Sequence, residues 1–333
     1  MTRWIFRSLF LCFSLGTASL SATVNFPALA GTYLTQAQTF DTKYTQFANS
    51  FSHYYGDAAA FASYLSAPNA RDNLGKFPSL YVGFGVGVTF GKVNSMKGEV
   101  DSSIQSNVPS YLIAENMSFN FGVGINRSWD LRFSFFPNAA IAIPSSSLGS
   151  NRTAELKSGV YRARLGYHVL EGGFLKPGFT IAGFVSYTTG GLTLSETGFS
   201  TSSTDSSGNT VALSNVTTKL STSWQYFGIG PEARFWYDLK FFHPFVGYSL
   251  GLQLGQYTTG LDVNGNIAVT VSSVTQNDTG SITISERRAA QLISHRLMFG
   301  FEISLLVLDI GVEAQVDLVN GLVGAAVGTA LRF

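Results

Sequence analysis

Residues Gly321 to Phe333 read GLVGAAVGTALRF. Val323, Ala325, Val327, Thr329, Leu331 and Phe333 fall on one face of an extended chain, and Leu322, Gly324, Ala326, Gly328, Ala330 and Arg332 on the other. A period of two held over this length specifies a strand. One face is apolar and ends in an aromatic ring, while the other is small and carries a single cation. A strand buried in a soluble core has little need of so much glycine.

The same alternation recurs upstream. Val82, Phe84, Val86, Val88 and Phe90 alternate with Gly83, Gly85, Gly87 and Thr89; Met117, Phe119, Phe121 and Val123 alternate with Ser118, Asn120, Gly122 and Gly124. Further segments follow at Leu131–Phe135, Tyr161–Val169, Phe179–Tyr187, Tyr226–Tyr237, Val246–Leu254, Arg296–Ile303 and Ile310–Leu318. Pro231 interrupts the sixth of these ten and predicts a bulge. Long polar connections (91–116, 137–156, 190–218, 258–290) alternate with short ones (127–130, 170–177, 238–244, 306–308). Asn320-Gly321 reads as a two-residue I′ turn, and Asn264-Gly265 and Gly208-Asn209 as turns within the long connections. Trp129, Tyr167, Phe179, Phe235, Tyr237 and Phe333 cluster near the short turns, and Phe90, Tyr187, Trp224 and Tyr257 near the long loops, as two girdles would.

A chain built this way and ending on such a strand with terminal Phe333 resembles the bacterial outer-membrane β-barrel proteins. The resemblance implies an all-β transmembrane fold, an antiparallel up-and-down barrel of about ten strands. It further implies lipid as a partner, recognition by the barrel-assembly machinery through the C-terminal strand, both termini periplasmic and the long loops extracellular.

Composition agrees. The chain has 333 residues, 45% hydrophobic and only 12% charged, about half the usual charged share. No run beyond residue 22 approaches the ~20 apolar residues of a spanning helix. Residues 1–22 read as a signal peptide, with Arg3 and Arg7, an apolar stretch from Leu9 to Leu20, and a cleavage site at Leu20-Ser21-Ala22. The single cysteine, Cys12, lies within it, so the remainder has no thiol chemistry. Without Arg3 and Arg7 the chain keeps 19 basic and 20 acidic side chains, which excludes the basic surface a nucleic-acid partner needs.

Residues 23–77 form a different unit before the barrel at 78–333. Phe40, Tyr44, Phe47, Phe51 and Tyr54 recur at helical spacing, with Gln38, Thr42, Thr45, Asn49 and Ser52 opposite, and Gly56-Asp57 reads as the helix end. The stripe lacks the basic fringe of a membrane-surface helix. It therefore reads as an amphipathic plug or a periplasmic cap, packed at the barrel mouth or entering it only in part. A helical segment ahead of a barrel also resembles the FadL-type long-chain fatty-acid transporters, which begin with a helical hatch. Asn25-Phe26-Pro27-Ala28 is similar to the hatch's Asn-Pro-Ala with an insertion.

The inward faces collect Arg132, Arg162, Arg164, His168, Glu232, Arg234, Glu302, Glu313, Asp317 and Arg332. Such charges either fill a narrow lumen as ion pairs or line a pore and set its selectivity. Arg162 and Arg164, with no carboxylate on their own strand's inward face, are the candidates for an anion-selective constriction. His53, His168, His243 and His295 form no Asp-x-His or metal-ligating spacing, and Gly83-x-Gly85-x-Gly87 lacks a following helix, so neither catalysis nor a cofactor is expected. Three roles remain: passage of small solutes, a surface-displayed binding or structural barrel with a closed lumen, and FadL-like transport of hydrophobic compounds.

Overall fold

Alternation becomes pairing in the computed structural model, which describes residues 19–65, 74–75, 77–100, 112–143 and 151–333. The chain runs β1 (Ser19–Asn25), α1 (Thr32–Ala62), β2 (Ser79–Phe90), α2 (Val93–Glu99), β3 (Ile113–Gly124) and β4 (Trp129–Ile143). It continues with β5 (Arg152–Gly173), β6 (Lys176–Thr204), β7 (Thr210–Tyr237), β8 (Phe242–Val271), β9 (Val274–Ala289), β10 (Ile293–Leu305), β11 (Leu308–Asp317) and β12 (Val323–Arg332).

Neighbouring strands pair antiparallel from β2 round to β8, β8 pairs with β10, and β12 pairs back onto β2. The ring therefore closes on ten strands, the number the sequence pattern implied. The upper half of β8 pairs with β9, which lies above β10 on the same track. Outward residues of the lower wall, among them Phe84, Phe121, Phe133, Ile181, Leu252 and Phe299, are exposed apolar side chains, 38–47% accessible. A closed ring with an apolar belt outside is a barrel whose solvent is lipid.

The long connections at 190–218 and 258–290 are not loops. They are continuations of β6, β7, β8 and β9, the first three being 29, 28 and 30 residues long. On β8 the pleat keeps its phase while the chemistry of the two faces exchanges, whereas β6 and β7 carry bulges at Thr197–Thr201 and Ser214–Thr217 near their tips. On β8 the outward residues change from Val246, Tyr248, Leu250, Leu252 and Leu254 to Gln256, Thr258, Asp262 and Asn264. The inward ones change from His243, Gly247, Ser249 and Gln253 to Tyr257, Leu261, Val263, Ile267 and Val269. On β7 the exchange falls between Gln225 and Phe227, which pair with Gln256 and Leu254. The belt edge is thus one line across neighbouring strands. Below it apolar side chains face out; above it they face in, as in a soluble protein.

The apolar interior of this tall wall is covered by α1. The helix is 31 residues long and runs unbroken through Gly56 and Asp57, where the sequence suggested an end. Gly56 is needed because a Cβ there would lie 2.8 Å from the Tyr257 ring. Ala37, Tyr44, Ala48, Phe51 and Tyr55 pack with Val216, Leu220, Trp224, Leu261 and Ile284 in one buried cluster. Gln38, Thr42, Gln46 and Asn49 face solvent, whereas almost every residue from Ser50 to Leu65 is buried. The alanines at 58, 59, 60 and 62 suit a helix end surrounded on all sides. On the side away from the tall wall, Ser50 Oγ and Tyr54 Oη donate to Glu99 of α2 at 3.0 and 2.6 Å.

Several expectations need correction. Of the aromatic stripe, Tyr44 and Phe51 are buried, Phe47 and Tyr54 half-buried, and the side chain of Phe40 lies outside the described residues. Tyr55, one residue past the stripe, is the ring that stacks on Phe51 and meets Trp224 edge-on. Trp224 and Tyr257 are inward, 4% and 1% exposed, and belong to no girdle. At Pro231 the ladder to β8 skips Gly230 and Pro231 without the register shift of a bulge; register shifts fall elsewhere, one of them at Pro137-Asn138, between Phe136 and Ala139. Asn264-Gly265 sits mid-ladder, paired with Ser281 and Gly280, and the hairpin turns instead at Ser272-Ser273. The β11–β12 turn is longer than a two-residue I′ turn, with Val316 opposite Val323 and Asp317 accepting from the Val319 and Asn320 amides.

The ends of the chain also differ from expectation. β1 pairs with β9 from Ser19↔Arg287 to Asn25↔Ser281, at the tall end, while Phe333 bonds Leu80 at the short-turn end. The two described ends therefore lie at opposite mouths, not together. Residues 1–18 of the expected signal peptide and 66–73 of the linker lie outside the described residues, as do 101–111 and 144–150 of the long connections.

Candidate functional site

The lumen is filled in layers. In the upper layer the end of α1 reaches the belt, where Tyr64 and Leu65 sit against a wall of small residues. A Cβ on Gly87 would lie 2.4 Å from the Leu65 Cβ, one on Gly324 would lie 2.6 Å from Leu65 Cδ1, and one on Gly228 would lie 2.6 Å from Tyr64 Oη. The glycines of the alternating strands thus make room for an inserted segment. Polar wall residues then fasten it: Asn116 Nδ2 donates to the Leu65 carbonyl at 2.8 Å and Gln253 Nε2 to Tyr64 Oη at 2.9 Å. The Arg296 guanidinium lies over the Tyr64 ring, 3.6 Å from its centroid, and donates to Ser249 Oγ at 2.7 Å.

The middle layer is ionic. Glu232 accepts from Arg162 at 2.9 Å and Arg164 at 3.1 Å, with Arg234 at 3.4 Å. Arg234 also lies 3.6 Å from Glu313 on β11, which ties β7 to a strand across the lumen. Asp130 takes Arg132 at 3.1 Å, and lies 3.4 Å from His168 and 3.7 Å from Arg164. Such buried pairs are costly to break, because one partner's removal strands the other.

The floor holds Trp236, Phe245 and Met298 as a buried cluster, and Arg332 bound to Asp309 at 2.9 Å and Glu302 at 3.3 Å. Trp236 lies across Gly178, where a Cβ would come within 2.1 Å of its ring.

The ten charges expected to face inward, from Arg132 to Arg332, are all buried or nearly so. Nine join this network, whereas Asp317 caps the β11–β12 turn. Arg162 and Arg164 do not form an unopposed ring; both share Glu232 from two strands away. Sequence reasoning passed over Asp130 and Asp309, and left Arg296, which it placed on the inward face, out of the lumen charges. Alternation carried the signal for each, since they sit two residues from, or on the same inward row as, Arg132, Glu302 and Gly311. Nothing in the sequence marks Tyr64. His295 is outward and bonds Tyr248 Oη.

One region of the wall is unzipped. Among the described residues, β3 pairs with β4 only from Phe119↔Phe135 to Gly124↔Asp130, yet β3 begins at Ile113 and β4 runs to Ile143. After the shift at Pro137, β4 from Ala139 to Ile143 follows β5 alone. Proline offers no N–H and does not sustain a ladder on both sides. The seam opens at the upper edge of the belt: outward Phe90 and Ile113, paired across β2 and β3, are 52% and 41% exposed, while Glu115 on β3 and the Lys157–Glu155 pair on β5 also face out. Behind the seam, Leu112, Ala114 and Leu156 belong to the same buried apolar cluster as Tyr55 and Ala58 of α1.

No protein-family model and no curated sequence matches the chain. Among solved structures it is similar to the outer-membrane protease OmpT of Escherichia coli, at 8% identity and TM-score 0.35, covering 79% of this chain and 97% of that one. It is likewise similar to Ail, the attachment invasion locus protein of Yersinia pestis, at 8% identity and TM-score 0.27, covering 77% and 98%. A third is the Ralstonia pickettii toluene transporter TbuX, at 13% identity and TM-score 0.28, covering 79% and 93%. These are bacterial outer-membrane β-barrels with different roles, and the likeness concerns the fold alone.

Proposed function

We propose that this outer-membrane barrel moves hydrophobic compounds from the apolar interior around α1, through the β3–β4 seam at the belt's upper edge, into the bilayer. The observation that carries the reading is the seam itself. Unpaired strand edges near membrane depth are costly unless something covers them, and among the described residues these stand between the apolar cluster around α1 and the upper edge of the belt. The axial route is the poorer one: below the helix end, the Glu232 network and Trp236 close the lumen with wall side chains that do not depend on α1. This favours a hydrophobic cargo over the small-solute channel, and it is the role that the FadL-type resemblance implied.

The chain beyond residue 22 has no cysteine, so the seam can be stapled cleanly. Glu115→Cys with Ala139→Cys, joined by a flexible bis-maleimide, should abolish uptake of a fluorescent apolar probe into proteoliposomes, and the unstapled double variant should retain it. Uptake unaffected by the staple refutes the lateral route. Large ion conductance in the intact protein would restore the small-solute channel. Neither uptake nor conductance would leave the closed, surface-displayed barrel, a reading supported by the filled lumen.

A further inference from the structure

The geometry points to Arg296 as a binding site for a small monovalent anion, concealed in the closed barrel beneath Tyr64. Five lumen arginines have a carboxylate within ion-pair reach: Arg132, Arg162, Arg164, Arg234 and Arg332. Arg296, fully buried, is paired with none among the described residues; its contacts are Ser249 Oγ and the faces of Tyr64 and Phe184. Its Nε and Nη1 find no hydrogen-bond partner, and neither does Ser294 Oγ, two residues away on the same inward row. Among the described residues the surrounding layer sets Arg132, Arg162, Arg164, Arg234 and Arg296 against Asp130, Glu232 and Glu313, an excess of positive charge.

A cation–π contact compensates a desolvated guanidinium only in part, and unmet donors in a buried site are expensive. When the Tyr64 ring withdraws, it leaves room walled by Gly228 and Gly251. An anion entering there meets two free N–H groups and a hydroxyl. Tyr64 and the anion thus compete for one guanidinium, and by linkage each weakens the other's hold. The inference needs only the closed lumen, and it stands whether or not apolar compounds cross the seam.

The test uses the full chain in detergent micelles with chloride as the probe. The chlorine-35 NMR line should broaden several-fold more with Tyr64→Ala than with Tyr64→Ala combined with Arg296→Gln. Equal broadening by the two variants overturns the proposal. A second readout uses the unmodified protein. Hydrogen exchange at the C-terminal end of α1 should be several-fold faster in potassium chloride than in potassium gluconate for the unmodified protein, by population shift, and equal in the two salts for Arg296→Gln. Equal rates in the unmodified protein count against the site.

Discussion

Gly87→Ala tests how the inserted segment is seated. The new Cβ would fall 2.4 Å from the Leu65 Cβ and 3.0 Å from its carbonyl oxygen, contacts that side-chain rotation does not relieve. Either β2 or the end of α1 must move. β2 is held by ladders on both sides, from Val323↔Phe90 and from Phe90↔Ile113, so the helix end should yield. Overpacking of this kind costs ~1–3 kcal/mol, which raises the opening equilibrium roughly 5- to 150-fold. Amide exchange between Phe51 and Ala62, read by mass spectrometry, reports that equilibrium directly. Leu65→Gly removes the clashing Cβ. It will loosen the segment by itself, but the two substitutions together should be less than additive. The belt strands should exchange as slowly as before. If Gly87→Ala leaves α1 exchange unchanged, Leu65 does not lie against Gly87 and the seating described above is wrong.

The exchange of faces on β8 predicts opposite tolerance along one strand: Tyr248→Arg should impair insertion by ~2–4 kcal/mol near mid-membrane, whereas outward Asn264→Arg should leave heat-modifiable gel mobility unchanged. Epitope tags at Gly208 and Ser273, the tips of the two tall hairpins, should label on intact cells; labelling only after permeabilisation would invert the barrel. Burial raises the Glu286 carboxyl above its ordinary range, and its Oε2 has no partner. A folded pKa above the unfolded one means that the stabilising protonated form holds at acid pH and is lost as pH rises through the folded value. Glu286→Gln should therefore raise the melting temperature of the tall wall at pH 8 by a few degrees, with the gain vanishing below pH 4; an equal gain at both pH values would rule out ionisation as the cause.

How much was legible depended on which signal each region carried. In the belt the lipid face is almost purely apolar, so Val82 to Phe90 or Val246 to Leu254 state their register without help. Above the belt the outer residues turn to Ser, Thr and Asn, and this polar majority reads as loop. The inner set of Leu261, Val263, Ile267 and Val269 was present at the same period, but on the face that had been polar a few residues earlier. Inward charges were found by alternation, yet their partners were not, because Glu232 meets Arg162 and Arg164 across an intervening strand. Gly56 was misread for a different reason: glycine ordinarily weakens a helix, and here its missing Cβ admits the Tyr257 ring. The seam was invisible, since Pro137 declares a broken ladder without saying which neighbour is lost.

The route of the chain through the ring constrains how the barrel can be assembled. β2 is the first strand of the ring and β12 the last, and their pairing is what shuts it. The helix precedes β2, enters from the tall mouth and ends at the throat, while Leu74 and Gly75 lie beside Gly122 and Gly124 near the opposite mouth. A polypeptide disposed in this way must already be inside when β12 arrives, or a helix of ~46 Å must later be drawn through a finished cylinder. Insertion before closure is the cheaper course, and it gives the inward face of the last strand a purpose. Gly324, Ala326, Gly328 and Ala330 keep that face small enough for β12 to close the ring over an occupied interior, with Gly324 against Phe61 and Leu65.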